Sequence, residues 1–166
     1  MKKRISELFT ARGSDKDSRH GFGFFYDWIT DSFSIDSVLE IGVFDGASAF
    51  AWIDFDSKIK FIGVDMSLCC GVDVIQTITP DYSPVISRCI EHGLKFDIII
   101  DDGSHAEGCQ VEGKRLLFEF VRPGGLYVIE NAQSADVRNR FPDANIIDNS
   151  GTTGHVDSTI AWWVKQ

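Results

Sequence analysis

Two adjacent carboxylates and a histidine follow a strongly apolar run. The run Phe96–Asp101 ends in an aspartate, Asp102 comes next, and His105 lies three residues further on. Carboxylates at the end of a buried strand repel each other unless a cation or hydrogen bonds relieve them. An imidazole has an ordinary pKa of about 6.5, which suits His105 to general-base chemistry at neutral pH. The plainer alternative is a histidine at a helix start, hydrogen-bonded to a loop carbonyl.

A second group of candidate residues surrounds two glycines after an earlier apolar run. Residues 37–43 contain Glu40, and the turn that follows holds Gly42, Asp45 and Gly46. Glycine lets the backbone approach a ligand closely and adopts positive φ easily. The G-x-x-x-G spacing differs from the G-x-G-x-x-G dinucleotide fingerprint, which argues against a Rossmann oxidoreductase. Taken alone, the turn is equally well explained as an ordinary strand-to-helix connection.

A third candidate is the carboxylate that ends the next apolar run. Lys60–Asp65 reads as a strand, and an acidic residue at a strand end can accept both hydroxyls of a ribose. A helix cap or a solvated turn residue is the alternative for Asp65. The glycine turn and Asp65 together are far more specific than either feature alone.

Strands and helices must alternate along the chain to bring these residues together. Such alternation predicts an α/β fold, with a mostly parallel seven-stranded sheet, helices on both faces and an antiparallel hairpin at one edge. Ligands of these sheets bind at the carboxyl ends of the strands. Strands are expected at residues 37–43, 60–65, 72–78, 96–101, 126–130, 144–147 and 159–164. Helices are expected at residues 5–9, 20–33, 47–53, 83–92 and 106–121, with a loop at 12–19.

Composition excludes several classes of protein. The 166 residues are 43% apolar and 25% charged, values typical of one globular domain. The net charge of −9 disfavours a nonspecific nucleic-acid partner, which normally has a basic footprint. No apolar segment is long enough to span a membrane, and no signal-peptide core is present, so we expect a cytoplasmic protein without a membrane partner.

The cysteines favour the same compartment. They have no metal-ligand spacing, and two adjacent cysteines make a poor disulfide framework. We therefore interpret them as free thiols in a reducing cytoplasm. The four are Cys69, Cys70, Cys89 and Cys109.

Several motifs carry a family resemblance. VLEIGVFDGASAFAW, FIGVDMS, FDIIIDDGSH and VRPGGLYVIEN resemble the class I S-adenosylmethionine-dependent methyltransferases. More narrowly, the chain resembles the branch with the macrocin and mycinamicin sugar O-methyltransferases and the cephalosporin-hydroxylase-like proteins. GSDKDSRHGF is similar to the G-T-D-K…H-G-Y segment of that branch. The resemblance implies a Rossmann-like class I methyltransferase fold, a single domain over residues 1–166, and a helical cap over the cofactor cleft at residues 1–33.

The resemblance also implies a set of cofactor contacts. S-adenosylmethionine would lie along the glycine turn, with Asp65 on its ribose, Met66 against its adenine and Asp81 near the adenine amino group. Ser48 and Lys16 would reach the cofactor carboxylate, although a loop lysine is more often simply solvated. The full implied set is Glu40, Gly42, Asp45, Gly46, Ser48, Asp65, Met66, Asp81, Lys16 and His20.

Catalytic and metal-binding roles follow from the same resemblance. It implies that Asp102 binds a divalent metal and that His105 is the base, both being catalytic. The family completes the metal site with a Glu-Asp pair, where this chain has Glu130 and Asn131. Mg²⁺ accepts amide as well as carboxylate oxygens, so we expect a weakened site for this ion.

The implied function is methyl transfer from S-adenosylmethionine to a small-molecule hydroxyl, on a sugar or another natural product. The alternative is a catalytically degenerate cofactor-binding or interaction protein of the same fold. The Asn131 departure, the short chain and the lack of an evident substrate domain favour that alternative. The expected partner is a small-molecule acceptor, and homo-oligomerisation is left open.

Overall fold

A seven-stranded sheet forms the centre of the computed structural model, which describes residues 3–133 and 135–166. The strand order is β3-β2-β1-β4-β5-β7-β6. β7 runs antiparallel to both β5 and β6, whereas the other neighbours are parallel. The predicted fold class is therefore confirmed. The strands are β1 (Ser37–Ile41), β2 (Lys60–Asp65), β3 (Val74–Gln76), β4 (Phe96–Asp101), β5 (Val121–Ile129), β6 (Asn145–Asp148) and β7 (Thr159–Val164).

Helices cover both faces of the sheet, because alternate residues of each buried strand point to opposite sides. In β4, Ile98 and Ile100 belong to one apolar core and Ile99 belongs to the other. The core that contains Ile98 and Ile100 is covered by α1, α3 and α4. The core that contains Ile99 is covered by α5 and the end of α6. In the described residues no helix has the length and apolar character needed to cross a bilayer. The helices are α1 (Ile5–Arg12), α2 (Asp15–Ser18), α3 (Gly23–Ser32), α4 (Ala47–Phe55), α5 (Ser83–His92), α6 (Glu107–Leu117), α7 (Val137–Arg140) and α8 (Ser150–Thr153).

The N-terminal helices are an integral part of one sheet face. Helix α1 packs against α3 and α4, and Phe9 lies edge-on to Tyr26 and Trp52, with ring centroids 5.3 and 6.1 Å away. Helix α3 extends this layer toward β7, where Trp28 meets Trp162 at 5.1 Å. Residues 1 and 2 of the predicted cap lie outside the described residues.

Some predicted boundaries were wrong for identifiable reasons. The helix predicted over 106–121 ends at Leu117, and β5 begins at Val121 rather than at 126. Val121 pairs with Phe96, and the Gly124 N–H donates to the Lys165 carbonyl at 2.8 Å, so contacts distant in sequence extend this strand through the Pro-Gly-Gly segment.

Three further predictions also need correction. The segment 12–19, predicted as a loop, contains the one-turn helix α2, and the connection within the predicted edge hairpin contains the short helix α8. Ser14 begins α2, because its hydroxyl accepts a hydrogen bond from the Lys16 backbone N–H at 3.4 Å. Helix α3 begins at Gly23, three residues later than expected.

Candidate cofactor and active site

The strand register places the candidate residues along one edge of the sheet. Ile41 pairs with Val64 of β2 on one side and with Asp101 of β4 on the other. Asp101 in turn pairs with Ile129 of β5. Because these strands are parallel, the residues at or just beyond their ends lie side by side. Those residues are Gly42, Asp65, Asp102 and Glu130.

Two adjoining cavities open at this edge. The smaller has a volume of about 240 Å³ and the larger about 590 Å³, and both are lined by Gly42, Phe44 and Asp102. The shared residues make one continuous cleft with two compartments. Residues 13–16, Val43, Asp45, Ala47 and Ser48 complete the smaller cavity. Ile41, Val64–Met66, Thr77–Thr79 and Gly103–His105 complete the larger cavity.

The glycine turn, residues 42–46, needs glycine at both ends. Gly42 and Gly46 each have φ of +87°, a left-handed conformation that side chains with a Cβ adopt only with strain. A Cβ on Gly42 would also collide with the backbone carbonyl of Asp102. Gly42 therefore lets the turns after β1 and β4 approach each other closely at the point where the two cavities meet.

Asp65 braces the glycine turn from the neighbouring strand. Its Oδ2 accepts a hydrogen bond from the Phe44 N–H and its Oδ1 accepts one from the Ser67 N–H, both at 2.9 Å. Phe44 has φ of +51° and is 83% exposed beside the cleft. Met66 is also exposed and lines the larger cavity. Asp65 and Met66 thus both line the larger cavity, and their contacts with the ribose and the adenine stay predictions.

Asp81 lies outside the two cavity linings, which corrects its predicted place beside the adenine. Its Oδ1 accepts hydrogen bonds from the Ser83 hydroxyl at 2.6 Å and the Ser83 N–H at 3.0 Å, and these bonds lower the pKa of Asp81. Asp81 therefore caps the start of α5. The Asp-x-Ser-Pro spacing before a helix is the sequence signal for this role. Thr77–Thr79 line the larger cavity instead.

Lys16 lies at the centre of three carboxylates and is only 2% exposed. Its Nζ donates to Asp102 Oδ2 and Glu130 Oε1, both at 2.8 Å, and forms an ion pair with Glu40 Oε1 at 3.0 Å. We name Glu40, Asp102 and Glu130 the acid cluster. Burial lowers the pKa of Lys16, but the acid cluster outweighs this effect and holds that pKa well above its usual range. The ammonium thus binds protein carboxylates, and Lys16 is also one of the residues that line the smaller cavity.

The members of the acid cluster differ in their protonation behaviour. Burial raises the pKa of both Glu40 and Glu130, against the opposing effect of Lys16. Burial acts in the same direction on Asp102, yet Lys16 and His105 hold its pKa below the ordinary value. The Ser48 hydroxyl donates to Glu40 Oε2 at 2.8 Å. Asp102 is therefore the member most firmly held as a carboxylate.

Tyr26 is a member of the site that the sequence did not reveal. Its hydroxyl donates to Glu130 Oε1, the oxygen that also binds Lys16. Tyr26 belongs to the apolar stripe of α3, which predicts a core residue and hides the polar role of its hydroxyl. Phe44 was missed for a different reason, since an exposed aromatic side chain in a turn has no periodicity to reveal it.

His105 and Asn131 lie beside Asp102 Oδ1, whereas Lys16 contacts Asp102 Oδ2. His105 is 42% exposed, and its Nε2 lies 3.7 Å from Asp102 Oδ1 and 3.2 Å from Asn131 Nδ2. The Asp102 carboxylate raises the pKa of His105. Asn131 Nδ2 donates to Asp102 Oδ1 at 3.3 Å. The imidazole of His105 lines the larger cavity and can accept a proton there.

His20 does not line either cavity, contrary to the role implied for it. Its side chain is 3% exposed, stacks on Phe22 at 5.3 Å, and has Nδ1 3.1 Å from the Ser158 hydroxyl. Burial lowers the pKa of His20. The structure therefore places this histidine in the packing between the N-terminal segment and the loop before β7.

The residues expected to hold a metal match a divalent cation in their donor chemistry. In the described part of the chain, no group of three His, Cys, Asp or Glu side chains is arranged around a common metal position. Asn131 Nδ2 is the atom that contacts Asp102, whereas Asn131 Oδ1 is buried and has no hydrogen-bond partner among the described residues. Asp102, Glu130 and Asn131 thus supply two carboxylates and one unpaired amide oxygen, which are suitable ligands for Mg²⁺.

The fold and the site define a class of protein. The seven-stranded sheet with antiparallel β7 has the fold of the Rossmann-like methyltransferases. No protein-family model matches the chain. Its similarity to individual proteins is more specific.

The predicted resemblance to the macrocin and mycinamicin sugar O-methyltransferases is confirmed. The chain is 55% identical over 110 residues to demethylmacrocin O-methyltransferase of Streptomyces fradiae, a match that covers 59% of this chain and 28% of that protein. It is 38% identical over 109 residues to mycinamicin VI 2''-O-methyltransferase of Micromonospora griseorubida, covering 59% and 27%.

A solved structure agrees with these relatives. MycE methyltransferase from the mycinamycin biosynthetic pathway, in complex with Mg, SAH and mycinamycin VI, matches with a TM-score of 0.72 and 32% identity. The match covers 84% of this chain and 40% of that chain. The chain thus spans less than half the length of the relatives it matches.

Proposed function

We propose that the chain is an S-adenosylmethionine-dependent O-methyltransferase that acts on a sugar hydroxyl of a small-molecule natural product. The observation that carries this proposal is the continuous cleft, in which the glycine turn and Asp65 meet Asp102 and His105. Asp65 and Met66 in the larger cavity are suited to a nucleoside, and His105 in the same cavity is suited to proton transfer. The activities named for the relatives support a sugar hydroxyl as the acceptor.

In this proposal the cofactor spans both cavities. Its methionine end lies in the smaller cavity against Gly42, Asp45 and Ser48, and its adenosine lies in the larger cavity. Each oxygen of Asp65 already accepts one backbone hydrogen bond, and each retains a lone pair for a ribose hydroxyl. Residues 13–16 border the smaller cavity, which supports a capping role for the N-terminal segment.

His105 takes the role of the base. S-adenosylmethionine, when bound, supplies the methyl group. The imidazole of His105 would accept the proton of the acceptor hydroxyl, as that oxygen bonds to the methyl carbon and the carbon–sulfur bond of the cofactor breaks. Asp102 raises the basicity of His105, and the cleft contributes by holding the reacting atoms in line.

Asp102, Glu130 and Asn131 would hold a divalent cation beside this base. A bound Mg²⁺ would lower the pKa of the acceptor hydroxyl. The neutral amide of Asn131 replaces an acid, so binding in the millimolar range is expected, and Asn131→Asp should strengthen it. Flat metal titrations of both the wild type and this variant would remove the metal from the proposal.

A catalytically degenerate cofactor-binding or interaction protein is the second candidate. One observation favours it, because the carboxylates of Asp102 and Glu130 are already paired with the Lys16 ammonium. A cytoplasmic location is included in both candidates, because adjacent Cys69 and Cys70 favour free thiols and a reducing compartment.

Two measurements test the proposal in sequence. Calorimetry with S-adenosylhomocysteine should show binding to the folded chain, and absence of binding would exclude the methyltransferase and leave only an interaction protein. Transfer of a labelled methyl group should then be measured on a panel of glycosylated polyketides, with the unglycosylated aglycones as the matched control. Methylation of the glycosides alone is the expected result, whereas cofactor binding without turnover on any acceptor would favour the second candidate.

A further inference from the structure

One buried ammonium joins the ends of three strands. Lys16 lies in α2, and the carboxylates that it contacts follow or belong to β1, β4 and β5. An ammonium has three donor hydrogens, which is the number needed to face three carboxylates. The lysine therefore neutralises part of the negative charge that the three parallel strands bring to one point.

The same carboxylate groups have two competing uses. Lys16 Nζ binds Asp102 Oδ2 and Glu130 Oε1, and these two residues are the acidic ligands of the proposed metal site. Glu40 is in contact with Lys16 but is not among those ligands. A divalent cation that binds Asp102 and Glu130 would lie close to a fixed positive charge, and like charges at such distances repel strongly in a buried site.

We propose that Lys16 is the internal counter-cation of the acid cluster and competes with a divalent cation for Asp102 and Glu130. This inference rests on the metal site of the proposed function. It makes Lys16 a positioning residue that lowers metal affinity, in addition to the loss of charge at Asn131. The cluster then retains its geometry without a metal, because one ammonium bridges all three of its members.

Manganese binding measures this competition directly. Free Mn²⁺ should be followed by electron paramagnetic resonance in the wild type, in Lys16→Met and in the double variant Lys16→Met/Glu40→Gln, which keeps the net charge of the wild type. Both variants should bind Mn²⁺ about tenfold tighter or more, since a repelling buried charge has been removed. Lys58→Met, at an exposed lysine, is the matched control and should leave the affinity unchanged.

The single variant Lys16→Met leaves three buried carboxylates without their ammonium partner and can misfold. The double variant removes one of these charges, so it is more readily folded. A second measurement uses the wild type itself. The ¹⁵N resonance of Lys16 Nζ should shift during a Mg²⁺ titration, while the signals of exposed lysines stay in place. Equal or weaker Mn²⁺ affinity in the folded variants would overturn the inference, as would an unmoved Lys16 signal while metal binds.

The failure of this inference can be separated from failure of the proposed function. S-adenosylhomocysteine binding should be measured by calorimetry on the same samples. Mn²⁺ titrations that stay flat in every variant, with cofactor binding intact, would overturn the competition and leave the methyltransferase proposal standing. Tighter metal binding by the Lys16 variants, with no cofactor binding by the wild type, would support the competition and refute the methyltransferase proposal.

Discussion

The glycine turn and the acid cluster lie at the same edge of the sheet but are held in different ways. The glycine turn is supported by the adjacent strand, where Asp65 accepts the Phe44 N–H only 21 residues away. The acid cluster depends on distant residues, since Glu130 binds Lys16 and Tyr26 across 114 and 104 positions of the chain. Contacts with the adjacent strand thus support the glycine turn, whereas the acid cluster needs the N-terminal segment.

This difference has a physical origin in the charges of the two regions. The glycine turn exposes backbone groups and one partly exposed carboxylate, which water can solvate. The acid cluster contains Glu40 and Glu130, both almost completely buried, and a buried charge is costly unless it is paired. The N-terminal segment supplies that pairing through Lys16 and Tyr26, so it has an electrostatic role beyond covering the cleft.

Deletion of residues 1–33 should have the largest effect, because it disturbs both the acid cluster and the cofactor cleft. The deletion removes α1, α2 and α3 and exposes one face of the sheet, and it leaves the acid cluster without its counter-cation. Burial of each large apolar side chain contributes about 1.5–3 kcal/mol, and Phe9, Tyr26 and Ile29 are fully buried. Loss of solubility, of cooperative thermal unfolding and of S-adenosylhomocysteine binding is expected, compared with the full chain. A truncated monomer that binds the cofactor normally would show that the two regions are independent.

His105→Ala should affect the proton-transfer side alone. Loss of a general base lowers turnover by about 10²–10⁴ while the glycine turn stays intact, so S-adenosylhomocysteine affinity should change little. The measurement requires an accepted glycoside and is compared with His92→Ala, at an exposed histidine that ends α5. Unchanged turnover in His105→Ala would remove this histidine from the mechanism.

Asp65→Ala should affect the cofactor side alone. Loss of hydrogen bonds between a carboxylate and the ribose weakens binding by about 1.5–3 kcal/mol. Calorimetry with S-adenosylhomocysteine measures the change, and Asp81→Ala provides a matched acid that caps α5 outside the cleft. A larger loss of affinity in Asp81→Ala than in Asp65→Ala would contradict the assignment of the ribose contact.

Elements that depend on local sequence patterns were predictable, and those that depend on tertiary contacts were not. The strands Lys60–Asp65 and Phe96–Asp101 and the helix Ser83–His92 were predicted with the bounds that the structure has. Their patterns are local, because continuous apolar runs indicate buried strands and a proline in the first turn favours a helix start. The start of β5 was not predictable in this way, since its pairing with Phe96 is a tertiary contact.

The position of Lys16 shows where local reasoning fails. In the sequence it is one charge within a polar Gly- and Ser-containing segment, which is typical of a solvated loop. Its burial depends on three carboxylates that the sheet assembles 24 to 114 residues further along the chain. The sequence did indicate that the adjacent carboxylates at the end of β4 need a cation or hydrogen bonds. It could not indicate which residue supplies them.

The smallest expected effect is a pH dependence of the free energy of unfolding that arises from His20. This residue belongs to the N-terminal segment but does not line the cleft. Burial lowers the pKa of His20, and Arg19 acts in the same direction against the carboxylates of Asp15 and Asp157; the ring of His155 lies 6.1 Å away. The unfolded chain therefore binds a proton at His20 at a higher pH than the folded chain does. The neutral ring stabilises the fold fully above the unfolded pKa of about 6.5, and this contribution is lost as the pH falls toward the lowered native pKa.

His20→Gln keeps a polar group beside Ser158 but removes the titration, so its stability should fall less than that of the wild type over this pH range. Urea unfolding at several pH values measures the difference, and His92→Gln provides an exposed histidine as the control. Parallel pH profiles for the wild type and His20→Gln would show that the N-terminal segment is not held by a neutral histidine. Its attachment would then depend on the apolar contacts and on Lys16.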